Sequence, residues 1–193
     1  MPDTLIVVLV LGGVFVLLLL WFIGMYNGLV RKRVDTDNAW SQIDVQLKRR
    51  YDLIPNLVET VKGYASHERE TLDAVISARQ HAVNITSDAA HAASKAQAEG
   101  MLGGALSRLL AVAEAYPNLK ADSNFRQLQE ELSGTENKIG FARQHYNDTV
   151  GRYEESRQSF PTNLVAAMFN FKEKEYFRLE EASQREAPKV SFS

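Results

Sequence analysis

A run of 27 residues without a charged side chain, Thr4 to Val30, stops abruptly at Arg31-Lys32-Arg33. Its apolar heart, Leu5 to Ile23, is nineteen residues long and interrupted only by Gly12 and Gly13. At 1.5 Å per helical residue that heart reaches about 28 Å, close to the ~30 Å hydrocarbon thickness of a bilayer. Leu5, Leu11, Val16, Leu20 and Ile23 fall on different faces of such a helix. A core helix in a chain this short is rarely apolar all round, so the segment reads as a single membrane span.

The rival reading is a cleaved signal peptide, which needs a positive n-region, a shorter apolar core and a small-residue cleavage site. Here the start is Met1-Pro2-Asp3-Thr4, and the run ends in Trp21-Phe22-Ile23-Gly24-Met25-Tyr26. Trp21 and Tyr26 suit the interfacial belt, where an amphipathic ring prefers the headgroups. No cysteine is present, which removes a lipoprotein anchor and thiolate metal sites together. Before the span only the amino terminus is positive; after it come Arg31, Lys32 and Arg33, then Lys48, Arg49 and Arg50. The positive-inside rule places the N-terminus outside and the rest in the cytoplasm. The expected division is an anchor at 1–30, a bundle at 31–180 and a polar tail at 181–193.

The net charge of −2 leaves the soluble part near neutral. Nucleic-acid binding, which needs a basic stripe to displace counterions, is therefore not expected. Trp40, Ile43, Leu47, Tyr51, Ile54, Leu57/Val58 and Val61 alternate at three and four residues, a narrow seam of the kind bundles and coiled coils use. Pro55 interrupts it, predicting a kink or change of direction, since proline removes an amide donor and crowds the carbonyl of Tyr51. A second helix is predicted over 68–86 and a third over 103–116. The Ala-rich stretch 87–100 between them has no bulky apolar residue and is expected to project or fray. A long fourth helix over 124–158, capped by Ser123 or Asn124, repeats the three-four spacing through Ile139, Ala142, Tyr146, Val150 and Tyr153. No segment alternates with period two. The fold class is all-α: a transmembrane helix followed by an antiparallel bundle of about four long helices.

Several motifs carry a family resemblance. Arg49-Arg50-Tyr51-Asp52-Leu53-Ile54-Pro55-Asn56-Leu57-Val58, Ala115-Tyr116-Pro117-Asn118-Leu119-Lys120, Ala142-Arg143-x-x-Tyr146-Asn147 and Phe160-Pro161-x-Asn163-Leu164 occur in that order. Together they resemble the LemA family. The pattern departs at Tyr153-Glu154, where Tyr-Asn is expected, and says nothing of residues 86–104. The resemblance implies a bacterial membrane-anchored helical bundle without an established enzymatic activity. Its members often accompany membrane-protease or envelope-stress genes.

The chemistry-bearing residues point the same way. His67, His81, His91 and His145 lack zinc-site spacing, Gly100, Gly103 and Gly104 lack a phosphate-loop lysine, and no serine sits in a nucleophile elbow. No cofactor is expected. Two polar clusters remain. Asp52 and Asn56 flank Pro55 and are expected to answer the carbonyls that proline frees, or to form a docking notch. Arg143, Tyr146 and Asn147 lie within two turns of each other and are expected to cross to Asp52 or Asn56, fixing helix register. The C-terminal aromatic segment, Phe160 to Phe177, either packs across the bundle end or contacts a membrane or partner. The leading functional reading is a non-catalytic inner-membrane adaptor for protein partners or for copies of itself. Self-association through Gly12-Gly13 is left open, because that pair does not itself form Gly-x-x-x-Gly. Its rivals are a membrane-surface remodelling protein and an anchored hydrolase.

Overall fold

The computed structural model describes residues 2–178, and the side chains of residues 4–178. The polar tail expected at 181–193 lies outside them. Six helices follow in order: α1 (Pro2–Tyr64), α2 (Arg69–Asn84), α3 (Ala92–Ala113), α4 (Pro117–Ala121), α5 (Ser123–Gln158) and α6 (Thr162–Met168). No strand occurs among the described residues. α1 is one helix of 63 residues, about 95 Å at 1.5 Å per residue. Its first third, through Trp21, is exposed on every side. It is long and apolar enough to cross a membrane.

From Leu29 onward α1 is covered. Trp40, Ile43, Leu47, Ile54, Leu57, Val58 and Val61 are all buried, as their spacing predicts. The covering element is α5, which runs antiparallel: Tyr64 meets Asp122, Arg50 meets Glu136, and Trp40 meets Tyr146. α2 and α3 form a hairpin over the remaining flank, so α1, α2, α3 and α5 alternate in direction. Arg79 of α2 and Glu99 of α3 both reach the Arg50–Tyr51 level of α1.

α1 continues through Pro55 to Tyr64. Two expectations change. The Ala-rich stretch neither projects nor frays: Ala92, Ala96 and Ala98 are buried in α3, and Lys95 and Glu99 with them. Small side chains are what allow α3 to come close to α2, and alanine is the best helix former. The cap of α5 is Asp122, whose Oδ1 accepts from the Phe125 amide at 2.9 Å. Its second oxygen accepts from the Tyr64 hydroxyl at 3.0 Å, so the cap also ties the far end of α1 to the start of α5.

After α5 the chain turns through a cis Phe160–Pro161 bond into α6. Asn170 follows with φ of 53°, a left-handed conformation that asparagine tolerates better than most residues. Residues 171–178 then run back along α5 as an irregular strap. Phe171 and Phe177 are buried, while Phe160, Leu164 and Met168 are exposed. One face of the aromatic segment thus packs on the bundle and the other is open.

If α3 packs through its alanines, Ala96→Leu forces extra volume into a filled site and destabilises the chain by about 1–3 kcal/mol. Ala93→Leu, on the exposed side of the same turn, changes stability by no more than about 0.5 kcal/mol. Urea unfolding of both variants in detergent micelles separates the two.

Candidate functional site

The bundle interior holds one polar cluster, centred on Arg50 and Glu99, each 5% exposed. Arg50 Nη1 lies 3.4 Å from Glu99 Oε2 and 3.2 Å from Glu136 Oε2. The Tyr51 hydroxyl donates to Glu99 Oε1. Gly103 makes room for the guanidinium: a Cβ there would sit 3.4 Å from Arg50 Nη2. Burial pushes the Glu99 carboxyl up from its ordinary 4.5, opposed by the Tyr51 hydroxyl and the Arg50 charge. Burial also raises the Tyr51 phenol, with Glu99 adding to it, so Tyr51 remains a neutral donor. Lys95, 2% exposed, donates to the carbonyl of Ala82 at 2.8 Å, among the last carbonyls of α2. A cation is favourable at a helix C-terminus, where carbonyls lack intrahelical partners. Desolvation lowers its pKa nonetheless.

Pro55 is part of this arrangement. The carbonyl it leaves without an amide partner is that of Tyr51, and Arg79 Nε of α2 donates to that oxygen at 2.8 Å. The expectation that Asp52 or Asn56 would do this is corrected. An ionised Asp52 has no proton to donate, and both residues sit on the exposed side of α1 with Pro55. Arg79 had a sequence signal: it falls on the same stripe of α2 as Leu72, Val75 and Ala82, a cation on an otherwise apolar face.

The second cluster grips the strap. The Tyr146 hydroxyl donates to the carbonyl of Glu175 at 2.7 Å, and the Tyr153 hydroxyl to that of Lys172 at 2.7 Å. Asn147 donates to the carbonyl of Phe177 at 3.1 Å and accepts from its amide at 2.9 Å. Glu154 Oε1 accepts from the Lys174 amide at 2.9 Å. The two pairs, Tyr146-Asn147 and Tyr153-Glu154, are seven residues apart on α5, about 10.5 Å of helix. Their targets are three residues apart, about 10 Å of extended chain. A heptad repeat of Tyr–polar pairs therefore matches the strap's rise.

Arg143 completes this face, its Cζ 5.1 Å from the Phe177 ring centre. Its Nε has no hydrogen-bond partner among the described residues. Burial lowers its pKa. Trp40 packs edge-on to Tyr146 at 5.1 Å and against Phe177 at 5.9 Å. Arg143, Tyr146 and Asn147 are thus brought together, but around the strap rather than across to Asp52 or Asn56. At the membrane end, Trp21 is exposed, whereas Tyr26 is half-buried between Phe169 and Phe171, at 4.7 and 5.7 Å. Arg31 and Arg33 are exposed and Lys32 half-buried.

Beside the strap, an open groove of about 1280 Å³ runs between the α2–α3 hairpin and residues 173–178. Its hairpin wall is rich in small side chains, including Ala74, Ala78, Ala93 and Gly104, and its strap wall is charged, with Glu173, Lys174 and Glu175. No group of three or more His, Asp or Glu side chains among the described residues could hold a metal ion.

A model of the LemA family matches residues 39–192, which takes in the seam, both polar clusters and the strap. The chain belongs to the LemA family. Among curated proteins it is similar to magnetosome protein MamQ 1 of Paramagnetospirillum magneticum, 27% identical over 175 residues, 79% of this chain and 64% of the relative. Protein LemA of Metamycoplasma hominis is 29% identical over 145 residues, 75% of this chain and 65% of the relative. The MamQ of Magnetospirillum gryphiswaldense is 24% identical over 174 residues, 79% of this chain and 64% of the relative. The chain therefore spans about 64% of the length of the MamQ relatives.

Asn147→Ala removes two strap hydrogen bonds and costs about 1–3 kcal/mol, with faster tryptic cleavage at Lys172 and Lys174. Asp148→Ala, exposed on the next position, leaves both readouts unchanged. The Glu99 proton is held more tightly in the native state than in the unfolded chain. That contribution to stability is complete below pH 4.5 and is lost as pH rises through the folded value. Glu99→Gln should flatten the fall in urea midpoint just above pH 4.5. Parallel curves for the variant and the unaltered chain would contradict the assignment.

Proposed function

We propose that this LemA-family chain is a non-catalytic, membrane-anchored adaptor that presents its bundle to protein partners or to copies of itself. The observation that carries the reading is α1: the apolar arm and the seam that organises the bundle are one uninterrupted helix. An anchor joined by a flexible linker lets its domain tumble. An anchor continuous with the core helix transmits the orientation of the span to the whole bundle, which suits a surface meant to be presented. The polar clusters support a structural role, since the partners of Arg50, Glu99, Tyr146 and Asn147 all lie within the chain.

The charge flank Arg31-Lys32-Arg33 supports an N-terminus outside and a bundle in the cytoplasm, at a bacterial inner membrane. Exposed apolar side chains away from the span, Val45 and Phe141 on the α1–α5 face, are available for coiled-coil-like contacts. Envelope stress or membrane-protein quality control is the setting that the family likeness suggests.

Photo-crosslinking residues placed at Ser77, Gln129 and Phe141 of the full chain in native membranes test the reading face by face. A discrete adduct from one face, of either a partner's mass or twice the chain's, is the expected result. Adducts spread evenly over abundant proteins from all three positions would remove the adaptor. Turnover of peptide, ester or phosphoester substrates that vanished in Arg143→Ala would remove the non-catalytic assignment.

A further inference from the structure

Two charge-free segments meet in this structure, although 128 residues separate Val30 from Ser159. The first is Thr4–Val30. The second is Ser159–Phe171, thirteen residues comprising the Pro161 turn, α6 and its exit. α6 packs through Val165 and Ala166 against Leu29 and Tyr153, with Phe22, Met25, Tyr26 and Val30 around them. Phe169 stacks against Phe22 at 6.1 Å and Tyr26 at 4.7 Å. The segments also end together: Arg33 lies 5.1 Å from the ring centre of Phe171, and Lys172 follows that ring in sequence.

The outward side of α6 is apolar too. Phe160 is 80% exposed, Leu164 59%, Met168 69% and Phe169 48%. Leu164 and Met168 lie four residues apart on α6 and share one face, and Phe160 is exposed on the turn just before it. A face of this kind on a soluble domain would be an aggregation liability. Here it stands beside the last turns of the apolar arm, where a spanning helix leaves the hydrocarbon.

We propose that the Phe160–Phe169 corner is a second membrane contact, with Phe160, Leu164, Met168 and Phe169 seated in the lipid interface beside the span. This rests on the reading that Leu5–Ile23 crosses the bilayer. The occupant is lipid rather than a partner protein because the face continues the span's own apolar surface, and because both segments give way to basic residues at one level. Arg31, Arg33 and Lys172 are exposed there, suited to anionic headgroups. Interfacial helices bury an apolar face about 5–10 Å deep, which one side of a short helix can satisfy. A span alone leaves the bundle free to rotate about the membrane normal and to tilt. A second contact to one side of it removes the tilt.

The chain has no cysteine, so single-cysteine variants report one site each. Leu164→Cys, Met168→Cys, Leu18→Cys and Gln129→Cys all replace exposed side chains. Each is labelled with an environment-sensitive fluorophore in the full chain, reconstituted in phosphatidylcholine–phosphatidylglycerol vesicles. Labels at 164 and 168 should show blue-shifted emission, loss of iodide quenching and strong quenching by lipids carrying a shallow nitroxide. The label at 18 should respond to a deep nitroxide, and that at 129 to iodide alone. If 164 and 168 match 129 while 18 is shielded, the second contact is wrong and the span stands. If 18 also matches 129, the span reading itself fails. Shielding from iodide without quenching by lipid nitroxide would mean that protein covers the face, which overturns the proposal as well.

Discussion

The seam from Trp40 to Val61 can be kept from water only by another helix of comparable length, and α5 supplies it. Because the two run antiparallel, every level of the bundle is set by one pairing: Asp122 with Tyr64, Glu136 with Arg50, Tyr146 with Trp40. The α2–α3 hairpin then closes the open flank, its two helices brought close to each other by alanines such as Ala82, Ala92 and Ala96. The strap and α6 occupy what remains. Burial of a large apolar side chain contributes about 1.5–3 kcal/mol, so this seam outweighs any one of the polar contacts.

Polar groups inside such a bundle must find partners. Pro55 breaks one hydrogen bond of α1, and the structure answers from a different helix, through Arg79. Arg50 and Glu99 are each buried and each satisfied by the other, with Tyr51 and Glu136 as further partners. A pair of this kind adds little net stability against an apolar replacement, yet a misregistered helix would strand a buried charge. The strap follows the same logic: side chains of α5 take up strap amides and carbonyls that no neighbouring backbone satisfies.

Much of the fold was legible because periodicity is a local property. The seam residues of α1 and α5 are buried where three-four spacing puts them, and the end of α1 falls beside Gly63. The Ala-rich stretch misled for a physical reason: a small side chain looks unable to drive burial, but it permits close approach once larger residues elsewhere have driven it. The cap at Asp122 was missed by one residue, since serine, asparagine and aspartate are all good caps and only backbone geometry chooses among them. For the polar clusters, the sequence marked Arg143, Tyr146 and Asn147 as a group. It could not show that their partner was a segment thirty residues downstream, because strap hydrogen bonds go to backbone atoms, which every residue possesses.

By itself, then, the sequence determined the apolar arm, the helical class and the seams, since each depends only on residue type at fixed spacing along one element. The tertiary structure alone decided what lies beside what. It put Arg79 on the carbonyl that Pro55 freed and wrapped Tyr146 and Asn147 around the strap. It also brought the uncharged α6 corner to the foot of the apolar arm. Those are contacts between elements distant in sequence, fixed by how the core closes, and no local pattern encodes them.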